Sequence, residues 1–92
     1  MTVTIQIGNT DNKLTQQGWS CYVEDLDTAL NSIPGLNRHF FGGSINWAPW
    51  QNACWVIETS LAPGDLESVL RSIRRKYRQE SVAVTYGETQ FI

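Results

Sequence analysis

An α+β fold of order βαββαβ is the architecture this 92-residue sequence predicts, on three observations. "VTIQI" near the N-terminus alternates apolar and polar residues, and "ACWVIETS" is rich in β-branched and aromatic residues, so both read as strands. Thr15 to Ile33 and Pro63 to Tyr77 carry apolar residues at helical spacing. Pro34-Gly35, Gly42-Gly43 and Gly87 punctuate the chain and set off two further strand-like stretches.

Each element follows from its residues. Val3, Ile5 and Ile7 alternate with Thr2, Thr4 and Gln6, and Gly8 to Asn12 reads as a loop. Thr15 is the expected N-cap of the first helix, although Gly18 stands where a capping box would place Glu or Gln. Trp19, Tyr22, Val23, Leu26, Ala29, Leu30 and Ile33 form its apolar face, and Pro34-Gly35 ends it. "LNRHFFGG" is the second strand, Ser44 to Asn52 a connection through Pro49, and "ACWVIETS" the third strand. Pro63 suits the first turn of a second helix, with Asp65 and Glu67 near its positive end. Leu66, Val69, Leu70, Ile73 and Tyr77 make its apolar stripe. "SVAVTY" is the fourth strand, and Gly87-Glu88 suits a type II′ turn into a short fifth strand, "TQFI". Right-handed crossovers place both helices on one face of a four-stranded antiparallel sheet, the ferredoxin-like plan. Thr2, Thr4, Gln6, Cys54, Val56, Glu58, Ala83 and Thr85 then fall on the opposite face, which is either solvated or paired with a second copy as a homodimer.

Length and composition fit one soluble domain, 41% hydrophobic and 17% charged. No apolar run reaches the length of a membrane span, and the N-terminus lacks the basic start and apolar block of a signal peptide. A cytoplasmic protein with two free thiols, Cys21 and Cys54, is expected. The net charge of −2 opposes whole-molecule attraction to nucleic acid or anionic membrane. The first strand also lacks the aromatic residues on which an RNA-recognition sheet stacks bases, so nucleic acid is not an expected partner.

Catalytic signals are few. His39 is the only histidine, and no cysteine spacing supplies a zinc cage. No phosphate-binding loop, dinucleotide fingerprint or nucleophile elbow is present, so no cofactor and no catalytic residue is assigned. A His39 pairing with Cys54 or Cys21 has nothing in its setting to support it.

Two features remain. Five of the seven basic residues lie in "RSIRRKYR", and helical spacing sets Arg71, Arg75 and Arg78 opposite the apolar stripe. A helix C-terminus favours cations, and Glu67 stands four residues before Arg71, so a structural role is preferred over a docking strip for phosphates or an acidic partner. Trp19 belongs to the core, and Trp55 shares a strand face with Ala53 and Ile57. Trp47 and Trp50 flank Pro49 in a connection, where they either cover an open end of the sheet or form an aromatic anchor. Asn46, Gln51 and Asn52 add hydrogen-bonding groups beside them. The candidate binding set is therefore Trp47, Trp50, Gln51 and Asn52, with His39 and the arginines Arg71, Arg75 and Arg78.

"TVTIQIGNTDNKLTQQGW" and "APWQNACWV" resemble stretches of short uncharacterised proteins of actinobacteria and their phages. The resemblance implies an accessory protein acting on a host component, and it assigns no site residue. The expected function is a non-enzymatic module that binds a protein partner. A binder of small, nucleotide-like ligands ranks second, and a small enzyme third.

Overall fold

The computed structural model describes residues 1–9, 13–45 and 48–92; the expected loop at residues 10–12 and the candidates Asn46 and Trp47 lie outside the described residues. The chain runs β1 (Thr2–Gly8), α1 (Gln16–Asn31), β2 (Asn37–Gly43), β3 (Asn52–Glu58), α2 (Pro63–Lys76) and β4 (Ala83–Gly87). All strand pairs are antiparallel, in the order β2-β3-β1-β4, so the ferredoxin-like βαββαβ layout is present.

Alternation decides the faces. Ile5 pairs with Trp55 and Val84, and Val3 pairs with Ile57 and Tyr86. Val3, Ile5, Trp55 and Ile57 form the core with Trp19, Tyr22, Leu26 and Leu30 of α1 and Leu66 and Leu70 of α2, and half-buried Val84 and Tyr86 pack against it. Thr4 pairs with Val56 and Thr85, and Gln6 with Cys54 and Ala83, on the face that neither helix covers. Cys21 is exposed on α1 and Cys54 half-buried on β3, and both are free thiols. No helix among the described residues is long and apolar enough to cross a membrane.

The helix ends follow local chemistry. Thr15 Oγ1 accepts the Gly18 N–H at 3.0 Å and caps α1. α1 stops at Asn31, before Pro34, yet Ile33 still packs on the core. Pro63 occupies the first turn of α2 with Asp65, and Arg74, Arg75 and Lys76 occupy the last. Beyond that turn, Arg78 N–H donates to Arg75 O at 3.1 Å and Gln79 N–H to Arg74 O at 3.0 Å. This is a Schellman ending, with Arg78 at the left-handed position (φ 56°) that glycine usually holds.

Three expectations need correction. Arg78 leaves the helical path, so Arg71 and Arg75 alone keep the expected ridge spacing. Glu67 does not pair with Arg71 among the described residues; its carboxylate accepts the Tyr86 hydroxyl at 2.6 Å. Residues 88–92 form no strand, and Phe91 and Ile92 are exposed. Too few apolar residues in "ETQFI" face the core to offset the entropy of ordering that segment.

Candidate functional site

β2 lies at an edge of the sheet, and every residue in it except Gly42 is exposed. Its register against β3 shifts between Arg38 and Phe40, leaving His39 as the extra residue of a bulge. The shift has a structural consequence. Arg38 pairs with Ile57 and Phe41 with Trp55, so both take the helix side, while Phe40 pairs with Val56 on the open face. Without the extra residue, Arg38 and Phe40 would share a face. Gly43 ends the strand, where a Cβ would come within 2.2 Å of Asn52 O.

The helix side of β2 forms one wall of a groove of about 510 Å³, and α1 forms the other. Gln16, Trp19, Ser20, Val23, Glu24 and Asp27 line it from α1, at the three- and four-residue spacing of one helix face. Phe41 forms its floor, 39% exposed, with its ring stacked on Trp55 at a centroid distance of 5.0 Å. Asp27 holds this arrangement together. Its Oδ1 accepts Trp55 Nε1–H at 3.0 Å and also the Arg38 guanidinium. Arg38 in turn lies 5.5 Å from the Phe41 ring centre. Glu24, exposed on the groove rim, has no ion-pair partner among the described residues.

Gln51 closes one end of the groove and is buried. Its Nε2 donates to Gln16 Oε1 at 2.7 Å, and its Oε1 accepts Asn9 Nδ2–H at 3.0 Å. The Asn9 amide also bonds the Leu14 backbone on both sides, at 3.0 Å each. This buried pair ties the end of β1 to the start of α1 and to the chain entering β3. Gln51 is therefore a strut whose amide already serves the fold, and not a free ligand-binding group. Buried amides need such partners, since leaving one unmade costs about 1–3 kcal/mol.

The other candidates do not converge. Trp50 is 59% exposed, next in sequence to Gln51, and Asn52 is exposed, its Nδ2 donating to Trp50 O at 3.2 Å. His39 is exposed at the bulge of β2. Arg71 and Arg75 are exposed on α2, and Arg71 lines a different cleft of about 420 Å³ against β4, at the opposite edge of the sheet. In that cleft Arg74 donates to Gln79 O and Glu80 O, both at 3.0 Å, Lys13 pairs with Glu80, and Glu67 holds Tyr86.

Sequence reading missed Phe40, Phe41, Glu24 and Asp27. A signal existed for the last two: residues 16, 19, 20, 23, 24 and 27 form a second stripe beside the core stripe of α1. For the phenylalanines the bulge hid the faces.

Three tyrosines are pushed up to about 12: Tyr22 by burial, Tyr77 by burial and its bond to Asp25, and Tyr86 by its bond to Glu67 and burial. Asp25 is held below the usual carboxylate range by the Tyr77 hydroxyl and by Lys76. These shifts lie away from the groove and belong to the packing of α1, α2 and β4.

No family model matches the chain, and no curated protein matches it. Among solved structures it is similar to one described as a phage SAM lyase in the apo state, at 15% identity, over 90% of this chain and 75% of that chain, with a TM-score of 0.38. At that distance the likeness says nothing about this chain's chemistry.

Proposed function

We propose that this protein is a non-enzymatic binding module that engages a protein partner along β2 and the neighbouring groove. The observation that supports it most is the exposure of β2, an edge strand with an outward row of backbone groups. Phe40 and Trp50, 53% and 59% exposed, add the aromatic surface that association favours and folding leaves unused. The resemblance to phage and actinobacterial proteins supplies the setting, an accessory protein acting on a host factor in the cytoplasm. Photo-crosslinking tests the reading. A crosslinking residue at Phe40 or Trp50 is expected to capture a discrete protein from an actinobacterial lysate, and one at Ser72 on α2 is not. Equal capture from all three positions, or none, would remove the reading.

The groove volume supports a second reading, since small-ligand sites fall in the range of about 300–1,000 Å³. On that reading a small molecule lies on Phe41 between Trp19 and Glu24. Native mass spectrometry of the purified protein separates the two, because a small ligand would appear as a discrete added mass.

A further inference from the structure

We propose that β2 receives an extended peptide segment as an additional strand, with a Lys or Arg side chain of that segment reaching Glu24 across the groove. The proposal rests on the protein-binding reading above and specifies its chemistry.

The backbone supplies the first half of the inference. Ser44 donates its N–H inward to Asn52 O at 3.0 Å. Alternation from that point turns the N–H and C=O groups of Phe41 and Gly43 away from β3. Among the described residues no strand pairs with that outer side. An incoming strand would satisfy these groups, the pattern of recognition by strand addition.

The groove supplies the second half. The α1 wall from Gln16 to Asp27 spans about 16 Å at the helical rise of about 1.5 Å per residue. An extended peptide of about five residues covers that length. Alternate side chains of an added strand point to the helix side, where Trp19, Val23 and Phe41 offer apolar contact. The charge inside the groove is unequal. Arg38 is already held by Asp27, so its positive charge is spent within the fold. Among the described residues, Glu24 remains as an unpaired carboxylate on the rim. A Lys or Arg has the length to lay its methylenes on Phe41 and place its cation at Glu24. An acidic side chain in the same place would meet repulsion.

A displayed library of random heptapeptides selected on the wild-type protein tests this. Enrichment of sequences with apolar residues at alternate positions and one Lys or Arg is expected. Selection on Glu24→Lys should replace the basic residue with Asp or Glu, and Glu24→Gln should keep the apolar alternation without charge preference. N-methylation of an enriched peptide at alternate amides should weaken binding about three- to tenfold for one parity and leave the other unchanged. Circular dichroism checks that both variants stay folded.

Several results would overturn the proposal: no enrichment over the Glu24→Lys protein, enrichment without basic residues, or equal loss from both N-methylation parities. A crosslinker at Phe40 that joins two copies of the chain would assign the edge to a second copy instead. Capture of a partner from Phe40 or Trp50 with an empty peptide selection would sink strand addition alone and leave the binding module standing.

Discussion

The two edges of the sheet differ in how their polar groups are used. At β4, Tyr86 is bonded to Glu67, Arg74 to two backbone carbonyls, and Glu80 to Lys13, so most of the polar side chains around the cleft beside it are partnered within the fold. At β2, among the described residues, Asp27 accepts from Arg38 and Trp55 and Gln51 is tied to Gln16 and Asn9, while Phe41, Phe40 and Glu24 stay exposed. Internal satisfaction stabilises a small domain but leaves fewer polar groups for a partner, with Arg71 the exposed cation at that cleft. An exposed edge forgoes that stabilisation, and the unpaired outer side of β2 is a liability that the proposed binding role would explain.

The largest expected effect comes from the residue that supports the open edge from beneath. Trp55→Ala should cost about 3–5 kcal/mol, because it empties a fully enclosed aromatic site and removes the ring under Phe41. Trp50→Ala should cost less than about 0.5 kcal/mol, as expected for an exposed position. Guanidinium unfolding midpoints measure both, and comparable losses would show that Trp50 belongs to the core.

Asp27→Ala should cost about 1.5–3 kcal/mol, since its carboxylate accepts from Trp55 and Arg38. A near-neutral result in the same unfolding assay would mean that the floor of the groove holds its shape without Asp27, and that this edge is not organised around it.

On the closed side, pH is the probe. A tyrosine whose folded pKa is raised binds its proton more tightly when folded, so its contribution is full below the unfolded value near 10. For Tyr22, Tyr77 and Tyr86 that contribution should be lost as pH rises from about 10 through 12. Asp25 behaves oppositely: its contribution is present above its ordinary value of 3.8 and lost as pH falls below that. Urea melts across both windows read these slopes. Tyr22→Phe sharpens the alkaline test, because the Tyr22 hydroxyl is buried without a partner among the described residues. It should raise stability by about 1 kcal/mol and flatten part of the alkaline loss.

The smallest effect is expected at the end of α2. Arg78→Gly should stabilise by about 0.5–1 kcal/mol by relieving a left-handed side-chain residue, with thermal melting as the readout. A loss instead would show that the Arg78 side chain makes a contribution that outweighs its backbone cost.

Periodicity made the element order legible. Val3, Ile5 and Ile7 could bury only one side of a strand, and Trp19, Tyr22, Leu26 and Leu30 only one side of a helix, so faces followed from spacing within a single segment. Pro49 and its polar neighbours marked a surface connection, but the residues alone left open whether Trp50 covers the sheet or stays exposed, and the fold leaves it 59% exposed. Three features needed the folded chain. The bulge at His39 depends on register against β3, and one extra residue reverses every face beyond it. Gln51 became a strut only because Asn9 and Gln16, remote in sequence, meet it with the right geometry. Arg78 left the helical path because its own N–H and that of Gln79 turn back to close the Schellman hydrogen bonds, which require a left-handed residue at that position. Sequence by itself determined what each segment would bury, a local property of side-chain spacing. Only tertiary structure decided which side chains at each edge found partners, because that depends on which polar groups from distant segments satisfy one another.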